Sequence, residues 1–74
     1  MRAKAKLTSS TNEEVRAFLN KTGQLELNDR LVFTLGGLQF SRPLQAQTQE
    51  DDAITVTDDR GQTYTFEVLE QAGG

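Results

Sequence analysis

The chain has 74 residues, a hydrophobic fraction of 35% and a net charge of −3. A single domain of this size buries only about 60% of its unfolded surface, so the core must be thin. The chain has no Cys and no His, which excludes disulfides, thiolate metal sites and catalysis by Ser-His or Cys-His pairs. No apolar run approaches the roughly 18 residues that a membrane span needs, so we expect a cytoplasmic protein.

The first predicted element is a strand at the start of the chain. Arg2, Lys4 and Lys6 alternate with small or apolar residues, which is the period of a strand with one basic face. Residues 1–21 hold five cations and two acids, a net +3, whereas residues 22–74 hold three cations and nine acids, a net −6. We therefore expect an edge strand with a basic outer face, whose three cations are candidate phosphate contacts.

A short helix is predicted next, from about Asn12 to Lys21. Thr11 and Glu14 have the spacing of a capping box, with Ser10 and Glu13 as the alternative. One apolar stripe then forms from residues spaced three and four apart: Val15, Phe18 and Leu19. Gly23 is well placed to end the helix.

The first of two predicted β-hairpins joins 30–35 to 38–42 through a glycine pair, after a short extended segment at 24–29. This register pairs Phe33 with Phe40 and Thr34 with Gln39. Pro43 has no N–H to donate, so the strand should end there or lie at a sheet edge. Residues 44–49 alternate weakly and form a possible further strand.

The second hairpin, from Ile54 to Val68, turns at residues 58–61. Asp58 opens the turn and Gly61 closes it, as expected for a type I turn followed by a glycine bulge. In this register aliphatic and aromatic residues face each other on one side: Val56 opposite Tyr64, and Ile54 opposite Phe66. The other side is a ladder of threonines: Thr55 opposite Thr65, and Thr57 opposite Thr63.

Together these elements predict an α+β fold. It would be a small antiparallel sheet of four to six strands, or a partly open barrel, with one N-terminal helix packed on it. We expect a single domain over residues 1–70 and a flexible tail over 71–74. The predicted core comprises Leu7, Val15, Phe18, Leu19, Leu25, Leu27, Leu31, Phe33, Leu35, Leu38, Phe40, Leu44, Ile54, Val56, Tyr64, Phe66 and Val68.

The residue types favour binding over catalysis. We expect no catalytic, cofactor or metal site, because the acids cluster in predicted turns where nothing raises a pKa or excludes water. The preferred hypothesis is a non-catalytic protein-binding module, such as a regulator, inhibitor or accessory subunit, that docks on a protein partner or on itself. Docking would use a sheet face or an edge strand, with contacts from Val32, Thr34, Gln39, Thr55, Thr65 and Leu69.

Two alternatives stay open. One is a nucleic-acid-binding accessory protein that uses the basic N-terminal strand. The other rests on Gly73 and Gly74, which resemble the diglycine tail of ubiquitin-like carriers and small sulfur-carrier proteins. That resemblance implies a carrier whose tail enters an adenylating enzyme, but those folds begin with a hairpin, whereas here a helix is predicted after the first strand.

Overall fold

A computed structural model describes residues 1–72, which form a closed barrel of six antiparallel strands. Each strand pairs with the next along the chain, and the last pairs with the first, which closes the barrel. A six-residue 3₁₀ helix, Glu13–Phe18, connects the first two strands. The strands are β1 (Arg2–Ser10), β2 (Thr22–Leu27), β3 (Arg30–Leu35), β4 (Leu38–Glu50), β5 (Ala53–Asp58) and β6 (Thr63–Ala72).

Both predicted hairpin registers are confirmed. β3 and β4 pair Phe33 with Phe40 and Thr34 with Gln39, and β5 and β6 pair residue for residue as the sequence predicts. Gly36 and Gly61 take positive φ angles of 53° and 81°, which explains why glycine stands at each of these turn positions. Hydrophobic alternation and turn chemistry are therefore sufficient to predict the registers of both hairpins.

The core is centred on five aromatic rings, as predicted. The ring centroids of Phe33 lie 5.1 Å from Phe66 and 5.8 Å from Phe40, and Phe40 lies 4.9 Å from Phe18 and 5.7 Å from Tyr64. The prediction that Leu38 lies in the core is wrong, because Leu38 is 55% exposed. The sequence analysis missed two fully buried residues of β1, Ala3 and Ala5.

The predicted α+β class is wrong, because the barrel has no packed α-helix among its described residues. The segment expected to form a helix from Asn12 to Lys21 forms only the 3₁₀ helix, and Val15 departs from helical geometry even there. Neither predicted cap applies, since the side chain of Asn12 accepts the N–H of Glu14. The correct description is a nearly all-β fold.

Tertiary hydrogen bonds explain why the helix is so short. Before it, Thr11 donates its N–H to the carbonyl of Thr63 and accepts the N–H of Thr63 on its hydroxyl, which holds the chain against β6. After it, Asn20 donates to the carbonyl of Leu7, and Leu7 donates to the carbonyl of Lys21. These contacts hold both ends of the segment against β1 and β6, and this tertiary pairing overrides the local helix propensity.

β1 is not an edge strand, contrary to the prediction. It pairs with β2 through residues 2–6 and with β6 along most of its length. Beyond Lys6, β1 no longer pairs with β2. There Leu7 forms backbone hydrogen bonds with Asn20 and Lys21, which follow the 3₁₀ helix. The alternation of charged and small residues reflects a barrel wall, with the cations outside and the alanines inside.

β4 continues through Pro43, where the sequence analysis expected a strand to end or to lie at an edge. Residues 38–43 pair with β3 and residues 44–50 pair with β5, with an irregularity between Leu44 and Ala46. Antiparallel residue pairs alternate between hydrogen-bonded and non-hydrogen-bonded. Since Leu35 and Leu38 close the turn as a hydrogen-bonded pair, this alternation makes Pro43 and Arg30 a non-hydrogen-bonded pair. β3 therefore needs no N–H from Pro43, and the strand can change partners there.

The two ends of the chain complete the barrel closure. β6 includes Gln71 and Ala72, which the sequence analysis assigned to the tail, and pairs them with Ala3 and Arg2. The diglycine, residues 73–74, lies outside the described residues. Across residues 1–72, none of the helical structure is long and apolar enough to cross a membrane.

Gly23 has a different role from the predicted helix stop. It lies within β2, and a Cβ there would come within 2.4 Å of the carbonyl oxygen of Thr34 and 2.6 Å of the Leu35 side chain. Only glycine allows β2 to approach the end of β3 this closely.

We therefore expect Gly23→Ala to destabilise the barrel by about 1–3 kcal/mol through overpacking. Gly37→Ala is the matched control, because a Cβ at Gly37 meets nothing within 4 Å, and it should change stability by less than about 0.5 kcal/mol. Urea unfolding of both variants measures the difference. Equal stabilities would contradict the close approach of β2 to β3.

Candidate protein-binding surface

A buried polar cluster joins the segment before the 3₁₀ helix to the β5–β6 hairpin. The Tyr64 hydroxyl donates to Oδ2 of Asp58 at 2.7 Å and accepts from Nδ2 of Asn12 at 2.9 Å. Oδ1 of Asp58 accepts the backbone N–H groups of Arg60 and Gln62, both at 2.9 Å. Asp58 and Asn12 are only 1% and 6% exposed, so these bonds are shielded from water.

Two ionisable groups in this cluster have displaced pKa values. Burial opposes ionisation of Asp58, but the hydrogen bonds from Tyr64 and from the backbone of Gln62 and Arg60 outweigh it, and the pKa of Asp58 falls below its usual value. Burial and the hydrogen bond to Asp58 raise the pKa of Tyr64. Asp58 is therefore ionised and Tyr64 neutral at pH 7.

The cluster is arranged to hold the fold together. Both oxygens of Asp58 and the hydroxyl of Tyr64 are occupied by partners within the chain. Nearby, Arg42 forms an ion pair with Glu14 across the mouth of the barrel. These groups connect four segments of the chain, and the sequence analysis identified only the turn role of Asp58.

The six predicted partner contacts do not form one surface. Val32, Thr34 and Gln39 lie on the outside of β3 and the first half of β4, where Gln39 donates a hydrogen bond to Thr34 at 3.0 Å. Thr55 and Thr65 face each other outside β5 and β6. The sixth, Leu69, is 49% exposed on β6. β4 pairs with β3 through its first half and with β5 through its second half. The curvature of the barrel therefore separates the contacts on β3 and β4 from those on β5 and β6.

Acids lie opposite the three candidate phosphate contacts on the outside of β1. The barrel register pairs Arg2 with Glu26 of β2, Lys4 with Glu70 of β6, and Lys6 with Glu67 of β6. Opposite charges in direct cross-strand pairs reduce the positive field that a phosphate would experience. No observation on this face favours nucleic acid.

Several acidic side chains border one groove on the barrel surface. Glu50, Asp51 and Asp52 at the β4–β5 turn border a shallow groove over β6 that also includes Lys6 and Glu67. Among residues 1–72, no group of three acids is close enough to hold a metal ion. The groove carries charge but no assembled ligand site.

The second half of β4 presents backbone groups that no strand of the described barrel uses. Glu50 and Ala53 form the pair that closes the two-residue turn, so they face each other with hydrogen bonds, as do Thr48 and Thr55. Gln47 and Gln49 occupy the alternate, non-hydrogen-bonded positions of this pairing. The backbone N–H and C=O groups of Gln47 and Gln49 therefore point away from β5. β3 does not extend to this region, since its pairing with β4 ends at Pro43.

We call residues 45–50 of β4 the glutamine edge, and all six of them are exposed. The other free side of β4, along residues 38–42, differs in two ways. Pro43 removes an N–H from it, and the half-buried residues Phe40 and Arg42 contact Phe18 and Glu14 there. The glutamine edge is therefore the more accessible template for another strand.

Comparison with models of protein families, with curated proteins and with solved structures gives no match to this chain.

We expect Tyr64→Phe to destabilise the fold by about 1–3 kcal/mol at pH 7, because it leaves buried groups of Asp58 and Asn12 without their partner. Thr57→Val is the matched control. It also deletes a strand hydroxyl, but that hydroxyl is on the outer face, and the change should stay within about 0.5 kcal/mol. Chemical denaturation measures both.

The same variant tests the ionisation of Asp58. A carboxyl with a lowered folded pKa contributes stability above its unfolded value of about 3.9 and loses it as the pH falls through the folded pKa. The difference in stability between wild type and Tyr64→Phe should therefore narrow below about pH 4. A constant difference from pH 7 to pH 3 would contradict the charged hydrogen bond.

Proposed function

We propose that this chain is a non-catalytic protein-binding module that docks by adding a strand of its partner to the glutamine edge. The observation that supports the proposal is the outward direction of the backbone groups of Gln47 and Gln49, in a strand segment whose six residues are all exposed. Strand addition uses such groups for affinity, because each new N–H···O=C bond replaces a bond to water.

The ionisable groups support a non-catalytic role. A general acid or base must reach its substrate, whereas Asp58 and Tyr64 are buried and hydrogen-bonded within the chain. The chain has no His or Cys to take their place. A binding role needs none of these groups.

The test is a capture experiment from an extract of the source organism, with the whole chain as bait. Gln49→Pro removes one outward N–H but leaves the β5 hydrogen bonds intact, because the backbone of Gln49 does not face β5. Proteins bound by wild type should be lost on Gln49→Pro and retained on Gln49→Ala, which changes the side chain but keeps the N–H.

Two further variants separate this edge from the other surfaces. Gln39→Pro places the same substitution on the other half of β4 and should retain the captured proteins. Thr55→Lys with Thr65→Lys disrupts the outer threonine face and should also retain them. Capture that survives Gln49→Pro but fails with the double lysine variant would overturn the glutamine edge and favour the threonine face.

A further inference from the structure

The glutamine edge is nearly symmetric about Thr48. Glutamines occupy the positions on either side of it, and small uncharged or acidic residues follow at Ala46 and Glu50. Residues 43–49 carry no charge. A two-fold axis through Thr48 would therefore place glutamine against glutamine and threonine against threonine, and it would set Glu50 against the uncharged Ala46 rather than against a second charge.

We infer that the partner of the glutamine edge is a second copy of this chain, paired antiparallel with Thr48 on the two-fold axis. The inference rests on the proposed function, since it uses the same edge and names its occupant. The resulting dimer joins two barrels through one continuous antiparallel sheet.

Backbone geometry fixes this pairing. The backbone N–H and C=O groups of Gln47 and Gln49 point away from β5. Gln47 of one copy can therefore meet Gln49 of the second copy in a hydrogen-bonded pair. The two-fold axis repeats that pair, which gives four N–H···O=C bonds. Thr48 then meets its own copy in the close, non-hydrogen-bonded position between them.

The side chains agree with that register. Gln47 and Gln49 lie on the same face of β4, opposite Val56 and Ile54 of β5, yet they are exposed there. Each amide has both donors and an acceptor, so glutamines of two copies can bond to each other across the junction. A foreign strand would gain specificity from pockets for its side chains, and residues 45–49 of this edge offer only glutamine, alanine and threonine.

Charge favours the antiparallel direction. Each chain has a net charge of −3, so two copies repel at long range, and the acidic β4–β5 turn holds Glu50, Asp51 and Asp52. Parallel pairing would place the two acidic turns side by side. Antiparallel pairing sends them to opposite ends of the junction, where Glu50 lies across from the uncharged Ala46.

Sedimentation of the whole chain over a range of concentrations tests the inference. Wild type and Gln49→Ala should both form a dimer. Gln49→Pro removes two of the four backbone bonds, and the dimer should weaken roughly tenfold or more. A wild type that stays monomeric, or a Gln49→Pro dimer as stable as wild type, would overturn the inference.

Cysteine crosslinking tests the register, and the chain offers a clean background because it contains no Cys. Thr48→Cys should form an intermolecular disulfide on oxidation, since a non-hydrogen-bonded antiparallel pair brings Cα atoms to about 4.5 Å. Ala46→Cys is the matched control on the same face, and it should not crosslink because it faces Glu50. Crosslinking of Ala46→Cys in preference to Thr48→Cys would overturn the two-fold axis at Thr48.

The two proposals fail in different ways. If the chain is monomeric but Gln49→Pro still abolishes capture of other proteins, the edge binds a foreign strand, and only the second copy is wrong. If a dimer forms that Gln49→Pro does not weaken, the copies meet elsewhere, and the assignment of the edge to a second copy is overturned. Both results are read from the same set of purified variants.

Discussion

The barrel depends on the change of partner within β4. One strand serves β3 with its first half and β5 with its second, so the sheet bends around Pro43 and can close between β1 and β6. Pro43 tolerates this change of partner because β3 needs no N–H from that position, and the extra residue near Gln45 increases the local twist.

The same bend creates the glutamine edge. A closed barrel normally removes strand edges, because each backbone group finds a neighbour around the circle. β4 is longer than the strands beside it, and each half is paired on only one side among the described residues. Closure therefore protects β1, which the sequence predicts as an edge strand, and exposes residues 45–50 of β4, in a segment that the sequence predicts only as a possible further strand.

Local rules predicted the parts of the fold that are local. The registers of both hairpins follow from alternation and from the turn residues Gly36 and Gly61, and the structure reproduces them pair by pair. The helix prediction was wrong because the segment is held at one end by Thr63, which is about fifty residues away in sequence, and at the other by Leu7 of β1, whose place beside it depends on the barrel. The predicted role of Gly23 as a helix stop was wrong for the same reason. The carbonyl of Thr34 excludes a side chain at Gly23 only because β2 lies beside β3 in the barrel.

For the candidate surface, too, the sequence predicts local features but not the contacts between segments that are distant in sequence. The sequence marks Arg2, Lys4 and Lys6 as one basic face, but it does not show that β2 and β6 bring Glu26, Glu70 and Glu67 opposite them. It marks the threonine ladder correctly, but not the curvature that separates Thr34 from Thr55. The direction of the Gln47 and Gln49 backbone groups follows from the turn at Asp51 and the pairing with β5, and these groups are free because β3 does not reach that side. The pairing with β5 and the extent of β3 are known only from the folded barrel, and together they make a run of alternating glutamines a surface that another strand can use.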